Sequence, residues 1–181
     1  MRSKAKSLAL TLIGLVIIAG CSTAPKTDHG REVLIDEANL TIRKFKFSDP
    51  DIVRFFENSA GYAVFPSVGK GGIGLGGAYG RGVLYEKGAV TGYCDLTQAT
   101  IGFQLGGQAY REIIFFENAQ TLMNFKSETF ALSAQASAVA AKAGAAAVAK
   151  YERGVAIFID GEAGLMAEAS VGGQKFNFLQ K

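Results

Sequence analysis

Gly72, Gly74 and Gly77 stand at G-x-G-x-x-G spacing, the pattern that cradles a pyrophosphate in a dinucleotide-binding unit. Cys21 and Cys94 are the two thiols, His29 is the one imidazole, and Asp95, Glu112 and Glu117 are carboxylates on or near β-forming runs. Lys70, Arg81 and Arg111 flank or punctuate the glycine-rich runs and offer positive charge to anionic groups; Lys87 and Arg153 do so less directly. Catalysis would require these types to converge. His29 lies in "STAPKTDHG", a small, polar run without the rigid surroundings a general base needs, so neither a Ser-His-Asp nor a Cys-His arrangement is available. Cys94 has no histidine or cysteine partner, and no cluster has zinc-ligand spacing. The three carboxylates show no pair spacing, which leaves a carboxylate-only hydrolase as the one catalytic form still open. The reading is of a chain that is not an enzyme and takes no cofactor.

The glycine pattern fails as a nucleotide site because a pyrophosphate cradle must open a helix. Here the glycines continue. Positions 72, 74, 76, 78, 80 and 82 read Gly, Gly, Gly, Ala, Gly, Gly, while 73, 75, 77, 79, 81 and 83 read Ile, Leu, Gly, Tyr, Arg, Val. Alternation of period two marks a strand, or a hairpin of two, with one face almost bare. Glycine in a strand interior costs stability and marks a bend or the approach of another backbone. Gly102, Gly106 and Gly107 repeat the device beside Phe103 and Leu105. Sharp curvature with tight packing is the favoured use, and a groove for a helix or an acyl chain is the alternative.

The elements around these residues can be read in order. Met1 to Lys6 is basic, Leu8 to Ile18 is apolar, and Ile18-Ala19-Gly20 leads into Cys21. The apolar run is shorter than the ~20 residues a membrane span needs, so residues 1–20 read as a cleaved leader. Its end resembles the lipobox of bacterial lipoproteins, which makes Cys21 the lipid attachment site. Ser22, by resemblance to the sorting rule, points to the outer membrane, facing the periplasm. Arg2, Lys4 and Lys6 lie in the leader, which leaves 16 basic against 16 acidic residues, so no nucleic-acid or nucleotide partner is expected from charge. With Cys21 lipidated, Cys94 has nothing to pair with.

Residues 21–30 read as a tether and 31–181 as a single domain. Leu34, Ala38, Ile42 and Phe45 share a helical face over Arg31 to Phe45, which would lie in the core or, alternatively, on a membrane. Ser48 or Asp49 caps a shorter helix with Pro50 in its first turn and Ile52, Phe55 and Phe56 as its stripe. Strands follow from Gly61 to Phe116. A helix with Leu122, Met123 and Phe125 apolar starts at an Asn118 cap. The alanine-rich segment from Phe130 favours helix by propensity but alternates like a strand, and is read as strand to about Ala141. Asp160-Gly161 is a turn pair that closes a last hairpin. The fold class is therefore α+β, a mostly antiparallel, strongly curved or barrel-like glycine-rich sheet with short N-terminal and central helices.

"GYAVFPSVGKGGIGLGGAYGRGVLYEKG", "GYCDLTQATIGFQLGGQAYREIIFF", "FALSAQASAVA" and "YERGVAIFIDGEAG" together resemble the SYLF domain family over about Asp36 to Phe178. The resemblance implies a mixed, mostly antiparallel β fold with short helices and a tendency to bind lipid. Eukaryotic members bind phosphoinositide-containing membranes and yeast relatives bind and bundle actin, whereas bacterial members are small lipoproteins without an assigned reaction. Actin does not carry over, since no SH3 domain accompanies the domain here. One departure is Gly154-Val155-Ala156-Ile157-Phe158, where the family reads closer to Gly-Leu-Phe-Ala-Gly. The expected function is a membrane-anchored lipoprotein whose non-catalytic domain binds phospholipid, with Lys70, Arg81 and Arg111 at the head group. The alternative is a structural lipoprotein of the envelope whose glycine face receives a protein partner.

Overall fold

The computed structural model describes residues 25–102, 107–127, 130–133, 136–161 and 171–181, of which 72–75, 100–102 and 107 are described in backbone only. The leader, Cys21 and the start of the tether lie outside these residues. Helix α1 runs Asp28–Ser48, its start fixed by Thr27, whose Oγ1 accepts from Gly30 N at 3.2 Å. Asp28, His29 and Gly30 are thus helical rather than part of a tether, and His29 is exposed in the first turn. Leu34, Ala38, Thr41 and Phe45 are buried, so the apolar stripe faces the core rather than a membrane. Ile42 sits at the margin of that core. Asp49 then caps a single 3-10 turn at Pro50–Ile52, which leads into α2 at Val53–Asn58. Pro50 at the start suits this, since its missing N–H is not needed there.

The sheet has six strands among the described residues: β1 (Gly61–Glu86), β2 (Ala89–Gly102), β3 (Gly107–Phe116), β4 (Val139–Ala140), β5 (Val155–Gly161) and β6 (Lys175–Gln180). Their order is β4-β5-β3-β1-β2-β6, and every pairing except β4 with β5 is antiparallel. Among the described residues β4 and β6 are the edge strands, and the sheet is not closed into a barrel. Lys87 and Gly88, with φ of 49° and 78°, form the tight turn between β1 and β2, a conformation that suits the twist of a two-residue hairpin.

Curvature is concentrated in β1, whose first half pairs with β3 (Gly61 opposite Phe116, Gly71 opposite Gly107) and whose second half pairs with β2. The halves lie against each other. A Cβ on Gly82 would stand 2.7 Å from the Val64 carbonyl oxygen, and one on Gly80 3.0 Å from that of Ser67. One on Gly61 would stand 2.8 Å from the Tyr85 carbonyl oxygen. At Gly80 and Gly82 the bare face is therefore filled by the strand's own beginning, as close backbone approach requires.

Two apolar layers result. On one side of the sheet Phe45, Ile52 and Phe55 of the helices pack on Val83, Phe115 and Phe158. On the other, Phe65, Leu84, Leu96, Phe116 and Phe176 are covered by Leu122 and Phe125 of α3 (Ala119–Lys126). Asn118 caps α3 as expected, its Oδ1 accepting from Thr121 N at 3.0 Å. Met123 is not part of the stripe, because it lies about 100° round the helix from Leu122 and is 64% exposed.

Two expectations are corrected. The alanine segment is not a continuous strand to Ala141: Ala131 makes an isolated antiparallel bridge to Lys175 of β6, Val139–Ala140 forms β4, and α4 follows at Ala145–Val148 (residues 134–135 lie outside the description). Asp160 and Gly161 do not turn; they extend β5 opposite Arg111 and Tyr110. The turn into β5 is Arg153-Gly154, with φ of 52° and 82°; the returning arm of the expected hairpin falls on residues 162–170, outside the described residues, and β6 beyond them pairs with β2.

Candidate functional site

The three cations expected at a head group occupy separate settings. Lys70 is half-buried on β1 opposite Gln108. Arg81 is exposed, opposite Asp95 in register, at a recess of about 580 Å³ between α1 and β1 that Glu37 and Tyr79 also line. Arg111 on β3 is bound to Asp160 on β5, Nη1 to Oδ2 at 3.1 Å, with both side chains mostly buried. Lys87 and Arg153 are turn residues.

The carboxylates are likewise dispersed. Glu117 is exposed just after β3. Glu112 is fully buried, and Gln174 Nε2 donates to its Oε2 at 3.0 Å and to Tyr110 Oη at 3.2 Å. Burial pushes the Glu112 carboxyl up from its usual 4.5 to about 8, while the Gln174 amide works in the opposite direction. Burial also pushes the Cys94 thiol well up, which keeps it from being a ready nucleophile.

What the sequence did not reveal is the corner where α1 meets α4. Asp49, fully buried, accepts at Oδ2 from Ala146 N (2.6 Å) and at Oδ1 from Gly144 N (3.2 Å). Arg54 Nη2 donates to the carbonyls of Ala146 (2.6 Å) and Ala149 (2.5 Å). One helical corner thus holds both ends of a four-residue helix that propensity alone would not sustain. Gly144, at φ 80°, supplies the left-handed entry. Here Asp49 binds two residues beyond Phe47, and Ala146 lies two residues before Val148. Phe47 is 90% and Val148 79% exposed, the two most exposed large apolar side chains among the described residues. Arg43, Lys44, Lys46, Lys142 and Lys150 are exposed on the same two segments, against Asp51 and Glu152. The signal was present in Phe47, which falls off the stripe that carries Phe45, and in Gly144 before the last alanines.

Behind α4 a groove of about 780 Å³ is lined by residues from 130–133, 136–139 and 142–153, with the buried Val155 to Ile157 of β5 at its floor. Phe130, Leu132, Ala136, Val139 and Ala149 make it apolar. Lys142, Lys150 and Arg153 line it from one side, with Glu152 as the acid among them.

Residues 97–180 match the family model Ysc84, described as "Las17-binding protein actin regulator". Beta cell expansion factor A of Aeromonas veronii is 30% identical over 156 residues, which cover 84% of this chain. The chain matches 59% of the length of that relative. An α+β domain with a glycine-crossed antiparallel sheet thus carries, over residues 97–180, the match to the SYLF (Ysc84) family, and the chain is similar to this relative over most of its own length.

Proposed function

We propose that this chain is a bacterial lipoprotein, held by lipid on Cys21 in the outer membrane and facing the periplasm, whose non-catalytic SYLF domain binds phospholipid bilayers. The observation that supports the reading is that Phe47 and Val148, the two most exposed large apolar side chains among the described residues, stand on the two segments joined at the α1–α4 corner, which also carry the exposed Arg43, Lys44, Lys46, Lys142 and Lys150. Inserting one such apolar side chain contributes about 1.5–3 kcal/mol, and each nearby cation adds about 1 kcal/mol on an anionic surface. These are weak attachments alone. Lipidation makes them count, because it holds the domain at high effective concentration near the bilayer. Arg111 is paired with Asp160, so on this reading the corner makes the bilayer contact, with Lys70 and Arg81 as further head-group contacts.

The test is sedimentation of unlipidated protein with phosphatidylglycerol and with phosphatidylcholine vesicles. Anionic vesicles should be bound in a salt-sensitive manner, and Phe47→Ser should weaken that binding several-fold. Equal binding to both vesicle types, or none to either, counts against the reading. The second reading, a protein-interaction lipoprotein of the envelope, draws support from the family description, which names a protein partner for relatives. Crosslinking in intact cells that captures one protein, with no vesicle binding, would favour it; the recess beside Arg81 is the surface it would use.

A further inference from the structure

We infer that the groove between the alanine segment and β5 holds a single anionic amphiphile, with one acyl chain along the groove and the charged head at Lys142 and Lys150. This rests on the phospholipid reading and shares Lys142, Val148 and Lys150 with the bilayer contact, but concerns a single molecule in the groove rather than a bilayer. The volume, about 780 Å³, falls in the range of about 300–1,000 Å³ typical of small-molecule sites. Its walls differ in kind. Residues lining it from 130 to 139 carry no charge, whereas those from 142 to 153 bring three cations and one acid. An occupant must therefore be apolar along one side and negative along the other, which describes an anionic amphiphile and excludes a uniformly polar or cationic ligand.

The alanines explain why there is room. Side chains of one carbon at Ala131, Ala136, Ala145 and Ala149 leave a slot that leucines would fill. The wall that carries α4 is tied at both ends by Asp49 and Arg54. The cationic wall is thus pre-set, which lowers the ordering cost of binding.

The experiment uses the mature chain carrying Cys21→Ser and amphiphiles kept below their micelle concentrations, titrated by calorimetry. Lauroyl-lysophosphatidylglycerol should bind one per chain. The myristoyl form should bind about tenfold tighter, as two further buried CH₂ groups imply, and dodecyl maltoside at least tenfold more weakly. Laurate separates the sources of the charge: binding like the lysophospholipid means a carboxylate suffices, while weak binding with the lysophospholipid retained means a phosphate head is read. Both outcomes uphold the site.

Ala136→Trp should abolish binding, and Lys142→Glu with Lys150→Glu should lower anionic binding at least tenfold without changing that of dodecyl maltoside. Should Ala136→Trp fail to fold, Ser137→Trp at the exposed rim supplies the one indole in a chain that has none, and its emission should shift on saturation. Phe47→Ser should bind amphiphiles like the parent while losing vesicle binding, which separates failure of this inference from failure of the bilayer reading. Absence of saturable binding, indifference to chain length, or indifference to both the Ala136 and the lysine substitutions would overturn the inference.

Discussion

Glu112→Gln should remove a pH dependence of stability that burial of this carboxyl imposes on the wild-type fold. The side chain is fully buried on β3; Gln174 Nε2 donates to Oε2, and Oε1 has no partner among the described residues. Its carboxyl is pushed from 4.5 up to about 8, chiefly by burial. Below about pH 4.5 folded and unfolded chains both hold the proton, and the group's stabilisation is fully present. Between there and about pH 8 the unfolded chain releases the proton while the folded chain keeps it. Stability therefore falls as pH rises, with a limiting slope of about 1.4 kcal/mol per pH unit. Summed over that window, the loss is on the order of 5 kcal/mol. Glutamine keeps the shape and can still accept from Gln174, yet carries no charge at any pH. Urea unfolding of both proteins from pH 4 to 8.5 measures the difference, which cancels the titration of every other group. The variant should match the wild type near pH 4 and exceed it by several kcal/mol near pH 8. A difference that stays constant across this range would refute the reasoning.

Other substitutions test the frame that holds the site. Asp49→Ala leaves the Gly144 and Ala146 amides without their acceptor and should cost about 2–3 kcal/mol, read as a melting temperature lower by about 5–10 °C; Asp49→Asn should recover part of this. Gly82→Ala drives a Cβ to 2.7 Å from the Val64 carbonyl oxygen and should cost about 2–3 kcal/mol in urea unfolding, more than Gly88→Ala, where only the positive φ is at stake. Arg111→Ala removes a partly buried pair with Asp160 and should cost at most about 1 kcal/mol, with vesicle sedimentation unchanged.

The local signals in the sequence were reliable where one physical cause acts alone. The Asn118 cap and the Asp49-Pro50 start depend on a few adjacent atoms, and both appear where the pattern puts them. The glycine alternation also identified extended chain, because dinucleotide binding demands a helix that the pattern lacks; β1 continues as strand through Gly77 to Glu86. What could not be read was contact across long separations. Alternation in the alanine segment speaks only for residues to about Ala141; the helix beyond it at Ala145–Val148 depends on Asp49 and Arg54, about 95 residues away in sequence, which bind its backbone. Arg111 looked available for a ligand because nothing nearby in sequence shows that Asp160 lies across from it. The corner with Phe47 and Val148 needed both ends of such a contact to become visible.

The crossing of β1 over itself also protects strand alignment. Gly80 and Gly82 alternate with Arg81 and Val83, so a one-residue slip would bring a side chain under Val64, where backbone atoms leave no space. Mispaired β1–β2 hairpins are thus rejected by collision, before any ligand or membrane takes part.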